Sequence, residues 1–544
     1  MISPADQAVI GQALMSTARE MGAKLYRSAF SPIVRDGKDA STGIMDASGA
    51  AVAQSDELIP VLVGSLSITL RHCMAACPPE TLEEGDFYIT NHPYRGAHHL
   101  SDILIFMPVF VVGRIIGYAA AVAHHLDMGG GAPGTNAGST DLYCEGLIIP
   151  PARYNHARDW REKNGLAGNL RGFIGANVRV PDQTLGDIDS QFAACFTGAA
   201  RLHELCARYG EQTVETAMVG QIAYVERRIR ASVAAIPDGT YTGEDFVDDD
   251  GLGSGPLRVL ASVTVAGDTL SVDFTGTCPQ VRSHMNAPYA SVVSGTLAAL
   301  KSFLTTDDVP FNEGAARAVT IIVPEGTLLN PRFPAPVAAR MEATYRAYDA
   351  VLKALGAAVP EHAVATGYDS TTSFCLSHLK DGRYRVFIEL RDGGFGAWAE
   401  GDGCDAVAGP LSNCTNVPVE AIDADHDFFR IEAYHLLPGT GGRGRHRGGN
   451  GSLRRYRILA DGVRFSIYSD RFRVAAEGLA GGEAGALGGC LLRRGTEVIA
   501  VRSKDDMLLA AGDVVEMWTG GGGGHGAPEL RAQELLQADE RLAR

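Results

Sequence analysis

The chain has 544 residues, of which 45% are hydrophobic and 21% charged, and its formal net charge is −16. This is globular composition, and the length allows two to four domains or one large interwoven body. The acidic balance argues against a nucleic-acid-binding surface and against adsorption to anionic membranes.

The ten cysteines are scattered and no CxxC occurs, so reduced, mostly buried thiols are expected rather than a disulfide framework. The opening residues MISPADQAVI lack a basic region followed by an apolar one. No run of about twenty uninterrupted apolar residues follows. A cytoplasmic protein with no membrane span is expected.

Taken in order, Ser3-Pro4 caps a first helix that runs to about Arg27. A charged turn, Arg35–Ser41, precedes a short hairpin of 43–46 and 50–54 around Ser48-Gly49. Residues 61–77 read as a helix ended by Pro78-Pro79, and 86–90 as a strand.

The densest chemistry lies in Asn91–Gly130, which holds two His-His pairs with an aspartate just beyond each. Between them, two apolar runs, 103–111 and 115–123, are separated by Gly113 and read as a β-hairpin with both faces covered. A turn centred on Gly113 sets Asp102 opposite His124, with His99 one step away. Directly opposed residues share a face, and a one-residue slip destroys the alignment. Two imidazoles and a carboxylate at one strand end suit a divalent metal (Zn, Mn or Fe), with a position left open for water or substrate. The plainer alternative is a set of polar strand-end residues satisfied by backbone or solvent. Asp127 is a reserve ligand or the carboxylate that orients a ligating histidine. His98 and His125 read as supporting or structural residues. Asp39, in the charged turn, is either a further ligand or part of a surface ion pair. Glu145, in a glycine-bounded loop, is either a general base or an exposed carboxylate.

Beyond Gly130 the chain is loop-like, with a short apolar strand after Glu145-Gly146 and an extended piece at 177–181. Helices follow at 185–208 and 212–235, broken at Tyr209-Gly210. Strands at 239–247, 257–266 and 269–275 form a meander. A helix at 291–305, a strand at 319–323, a helix at 342–355 and strands at 384–390, 463–468, 497–501 and 514–518 complete the regular elements. A short polar helix starts at Glu529. Most of the 65 glycines fall in the C-terminal half, where tight turns and irregular loops are expected. The fold class is α+β, with large mixed or antiparallel sheets, glycine-rich loops and flanking helices. The expected division is a metal-site region (1–190), a helical pair (191–236) and a glycine-rich β-containing region (237–544).

No GxxxxGK[ST] loop occurs, nor a GxGxxG between strand and helix, so the chain offers no nucleotide site of its own. No GxSxG elbow is present either. Arg443, Arg445 and Arg447 bind an anion or are solvated turn residues.

These motifs together resemble the hydantoinase B/oxoprolinase family along nearly the whole chain. Arg35–Ser41 is similar to that family's ER-x-DFS turn, Asn91–Tyr94 to NDPY, His99–Asp102 to HLPD and Ala123–Gly130 to AHH-x-DxGG. Glu145–Pro151 is similar to EGL-x-IPP, Asn177–Pro181 with Leu185–Asp187 to NxRxP…LGD, and Leu329–Pro331 to LNP. Gly393–Ala397, Thr415–Glu420, Gly441–Gly451 and GGGGGHG match the C-terminal glycine signatures. The departures, His92 for Asp, His98 for Thr and Ser101 for Pro, leave the hairpin residues in place.

The resemblance implies an obligate complex. An A-type partner carries the ATP site and phosphorylates a carbonyl oxygen, and the B-type subunit receives the activated species. In the carboxylase branch of the family this subunit holds a divalent metal, and the matching positions are His99, Asp102 and His124, with Asp39 a fourth candidate. The implied activity is hydrolysis of a small cyclic amide (a hydantoin, an oxoproline or another lactam), with Asp127, Glu145 or His125 moving protons. A ketone carboxylase subunit and a non-catalytic scaffold for the ATPase partner are the alternatives.

Overall fold

The computed structural model describes residues 2–163, 165–306, 308–415 and 417–542. A six-stranded antiparallel sheet forms the N-terminal half. Its strands are β1 (Ala40–Asp46), β2 (Ala51–Gln54), β3 (Asp86–Thr90), β4 (Asp102–Val111), β5 (Arg114–His124) and β6 (Ala152–Asn155), in the order β2-β1-β5-β4-β3-β6. The hairpin of β4 and β5 is central, so both its faces are buried and neither strand alternates apolar with polar.

Parity divides the two faces. Ile103, Ile105, Ala119, Ala121 and Ala123 join a core with the helices Pro4–Ser28 and Pro181–Tyr209. Leu104, Phe106, Tyr118, Ala120 and Val122 join a second core with the helices Leu66–Ala76, Tyr289–Leu304 and Arg340–Ala358. That second core also takes in the sheet of β7 (Gly239–Val247), β8 (Leu257–Ala266), β9 (Thr269–Asp273) and β10 (Val319–Ile322). Its order is β10-β9-β8-β7, with β10 parallel to β9.

The C-terminal part is a sandwich. One sheet orders the strands Arg383–Leu390, Ser373–Lys380, Val463–Tyr468 and Lys504–Leu509. The other orders Phe429–Leu437, Gly451–Ile458, Val514–Trp518, Gly489–Arg494 and Glu497–Val501. Phe374, Phe387 and Phe465 of the first meet Tyr456, Val515 and Met517 of the second in one core. The α+β class is thus correct, and the cysteines among the described residues are free thiols.

Several local expectations change. Residues 61–77 form two helices, Pro60–Val63 and Leu66–Ala76, parted at Gly64-Ser65. The apolar run after Glu145-Gly146 is irregular; the strand starts beyond Pro150-Pro151, as β6. An unforeseen helix, Asn169–Asn177, precedes the extended piece. The glycine-rich segments are buried backbone layers rather than solvated turns. Gly442 N–H donates to the Gly522 carbonyl and Gly522 N–H to that of Gly449. A Cβ on Gly522 would stand 2.0 Å from the Phe395 carbonyl oxygen, so no side chain fits there. Arg447, read as a candidate anion ligand, is held by Asp405 at 2.7 Å and Asp539 at 3.0 Å.

The β4–β5 turn is Val112-Gly113, with φ of 50° and 75°. A β-branched residue is disfavoured in that left-handed region, and two-residue hairpin turns prefer Asn-Gly. Val112 is 92% exposed, so its side chain contributes little packing. Val112→Asn is expected to stabilise the hairpin by about 1 kcal/mol, read as a higher thermal-unfolding midpoint.

Candidate metal centre

Asp102 opens β4, His124 closes β5, and the two pair directly across the ladder. A two-residue turn alone would set Asp102 against Ala123. The register shifts by one at Val109/Phe110, and this bulge brings His124 opposite Asp102. Both side chains therefore lie on the face of Leu104 and Val122, toward the helix Arg340–Ala358.

His99 arrives from the preceding loop. Asn91 shapes that loop: its side-chain amide donates to the Leu100 carbonyl at 2.7 Å and to the Leu147 carbonyl at 2.9 Å, and its oxygen accepts from Ile149 N–H at 2.7 Å. Asp102 N–H then donates to the His99 carbonyl at 3.1 Å. His99 Nε2 lies 3.2 Å from Asp102 Oδ1, and the His99 and His124 ring centroids are 4.9 Å apart. One ligand atom from each of the three residues falls within 4.8 Å of the others. All three residues are buried.

Apart from the 3.2 Å approach of His99 Nε2 to Asp102 Oδ1, these two buried atoms and His124 Nδ1 have no hydrogen-bond partner among the described residues. An unpaired buried polar atom is costly, and three such atoms turned to one point fit a divalent cation. Burial holds His124 down to about 3 and, together with the Arg340 charge, lowers His99, so both imidazoles are neutral with free lone pairs. Burial alone would raise Asp102, but its contact with His99 and the Arg340 charge outweigh it and hold the carboxyl below its usual range. Two neutral imidazoles and one carboxylate suit Zn, Mn or Fe(II).

Arg340 is the main residue that sequence reading missed. Its Nη2 donates to Asp102 Oδ2 at 2.8 Å, leaving Oδ1 for the cluster. The signal was there: an arginine at the first position of the helix Arg340–Ala358 opposes the helix dipole and calls for an anionic partner.

The other sequence candidates fall in different places. Glu145 is brought in: Val337 and Ala338 N–H donate to its Oε1 at 2.9 and 2.8 Å. Its Oε2 is buried and unpaired, and it lines the same cavity as His99 and His124. Burial pushes this carboxyl up to about 8. Asp39 lies at the start of β1, where its carbonyl accepts from His124 N–H at 3.0 Å. It is buried rather than a surface ion pair, and burial with the nearby Asp102 charge raises its carboxyl to about 7. It is not one of the three clustered residues. Asp127 is not brought in. Its oxygens accept from the N–H groups of Gly129, Gly134 and Arg179 and from Arg179 Nη1, at 2.8 to 3.1 Å. His125 has the opposite parity and pairs with Gln191 Oε1 at 3.3 Å on the other face. His98 pairs with Ser291 Oγ at 2.9 Å.

The profile of the hydantoinase B/oxoprolinase family matches residues 3–528. The chain belongs to this family. It is 32% identical over 555 residues to the B component of a putative D-/L-hydantoinase from Pseudomonas sp. strain NS671, covering 99% of this chain and 92% of that one. The crystal structure of the ATP-dependent caprolactamase from Pseudomonas jessenii superposes with a TM-score of 0.90 at 26% identity, over 100% of this chain and 94% of that one. The nucleotide-free structure of acetone carboxylase, at 18% identity and a TM-score of 0.89, covers 99% of this chain and 78% of its own and shares the fold. Among the described residues no helix is long and apolar enough to cross a membrane.

Wild-type protein purified without chelator is expected to carry about one Zn, Mn or Fe per chain by elemental analysis. His99→Ala and His124→Ala lose it while remaining folded. Arg340→Gln, which frees Asp102 to rotate, lowers metal affinity by about 10–100-fold.

Proposed function

We propose that this chain is the metal-bearing B-type subunit of an ATP-dependent cyclic amidase, acting on a hydantoin, an oxoproline or another lactam activated in an A-type partner. The observation that supports this best is the convergence of the unpaired atoms of His99, Asp102 and His124 beside the unpaired Glu145 Oε2. The names of the relatives, a putative hydantoinase component and a caprolactamase, support a cyclic amide as the substrate class. The absence of a nucleotide-binding loop in this sequence fits an ATP site on the partner.

An amide resists attack because of its resonance, and phosphorylation of its oxygen removes that protection. His99, Asp102 and His124 would hold a divalent cation, which would supply Lewis-acid chemistry. Arg340 fixes the Asp102 carboxylate, and the two neutral imidazoles keep their lone pairs for the cluster. Glu145 is anchored through Oε1, so Oε2 is the atom that holds and moves a proton. Leu100 and Ile388 line the same space and limit water. Asp127 holds the loop from Gly129 to Gly134 against Arg179, and His125 braces the hairpin against the helix Pro181–Tyr209; neither moves a proton in this reading. The cavity is about 20 Å³, which accommodates about one water. A ring substrate is larger than this space, so its entry requires the lining to move.

The test is reconstitution with the A-type partner, ATP and a panel of hydantoin, 5-oxoproline and caprolactam. Asp102→Asn is expected to lose metal and turnover together. Glu145→Gln keeps its metal and loses about 10²–10⁴ in kcat. Full turnover by a folded, partner-bound Asp102→Asn protein overturns the reading in favour of a scaffold. A requirement for bicarbonate with ketone substrates assigns a carboxylase instead.

A further inference from the structure

A second cavity, about 630 Å³, lies between the helix Arg340–Ala358, the loop 361–369 and the glycine-rich segment 395–410. Its size is in the range of small-molecule sites. It shares no lining residue with the cavity at His99 and His124. The two sites lie along one helix, and from Arg340 to Asp349 that helix rises about 13 Å.

Four aromatic side chains line the cavity, Phe303, Tyr348, Phe395 and Trp398, and Trp398 is exposed. Four carboxyl groups line it as well: Glu361 and Glu400, which are exposed, and two that are buried, Asp349 at 4% exposure and Asp369 at 7%. Asp369 adopts a left-handed backbone. Its φ is 41°, and a Cβ on Gly367 would stand 2.5 Å from its Oδ2.

The surrounding charges pair off unevenly. Arg471 reaches Asp245 at 2.9 Å and Asp349 at 3.1 Å, and Arg346 lies 3.4 Å from Asp349. Lys353, which also lines the cavity, lies 2.8 Å from Glu477 and 3.5 Å from Asp245. The two guanidinium groups and Lys353 together answer Asp245, Asp349 and Glu477. Arg346 does donate to Asp369, but to its backbone carbonyl. Among the described residues, Asp369 is the buried carboxyl group of this cavity with no side-chain ion pair of its own. Burial pushes it up, and its charge adds to the burial that raises Asp349. A buried carboxyl group left over from this pairing and facing aromatic walls is suited to a cation that brings its own hydrocarbon.

We propose that this cavity is a second ligand site, taking a primary organic ammonium with a short hydrocarbon body. The ammonium sits on Asp369 with Asp349 beside it, and the chain or ring of the ligand lies among Phe303, Tyr348, Phe395 and Trp398. The assignment stands independently of the cyclic-amide reading, because no residue of the metal cluster takes part.

Isothermal titration of the full chain with n-hexylammonium and with hexan-1-ol, its neutral counterpart, tests the site. The ammonium is expected to bind one per chain and at least about tenfold tighter than the alcohol, as for a charge-assisted contact. Asp369→Asn removes that preference and leaves alcohol binding unchanged. Asparagine tolerates the left-handed backbone, so this variant keeps its fold. Trp398→Ala, at an exposed wall, weakens the ammonium by roughly fivefold. No ammonium binding by wild type, equal affinity for the two probes, or unchanged affinity in the variants overturns the proposal.

Discussion

The structure depends on the register of one hairpin. Asp102 faces His124 because the β4–β5 ladder gains one residue at Val109/Phe110. Every side chain of a strand changes face when its register slips by one. The same shift that aligns the cluster therefore also sends Leu104 and Val122 to one core and Ile103 and Ala123 to the other. Core packing and site geometry are fixed together. Apolar side chains on both faces hold the pairing, and the polar residues at its open end have no freedom to choose other partners.

That placement has an electrostatic cost, which the fold offsets locally. Asp102 is wholly buried, and an isolated buried carboxylate is strongly disfavoured. Arg340 meets it from the start of a helix that also packs on β7 and β8. Breaking a buried pair by removing one member typically costs about 3–5 kcal/mol, so this contact ties the N-terminal sheet to the middle of the chain. The arginine can neutralise only one oxygen of Asp102. The other oxygen and the two imidazole nitrogens are turned toward one another with no further protein partner among the described residues, an arrangement that fits a cation. Glu145 follows the same pattern: one oxygen is anchored by two backbone N–H groups and the other is left free.

The glycine content has a structural cause as well. In the C-terminal part, segments around Gly394, Gly449 and Gly522 stack backbone on backbone, and a Cβ at any of the three would meet a carbonyl oxygen at about 2 Å or less. Such layers bury peptide groups that must hydrogen-bond to one another, as Gly442, Gly449 and Gly522 do. One of these layers forms a wall of the second cavity, so the glycine signatures shape binding space as well as turns.

Elements with strong local patterns were legible in the sequence: the capped first helix, the helices around Gly210, the meander after Gly239, and the hairpin with its polar ends. Their periodicity and punctuation are carried by neighbouring residues, and so was the family resemblance. The strands Ser373–Lys380, Phe429–Leu437 and Gly451–Ile458 were not legible, since glycine-rich flanks blur the boundaries and the pairing partners are distant. The sequence by itself determined that His99, Asp102 and His124 lie at the open end of one hairpin, and the bulge at Val109/Phe110 sets them face to face. Only the tertiary structure decided which other groups join them. Arg340 comes from 238 residues away, Glu145 is turned inward by Val337 and Ala338, and Asp127 is spent on Arg179 and its own loop. Sequence spacing records neighbours along the chain, whereas burial and charge pairing are settled by residues that meet only when the two halves pack.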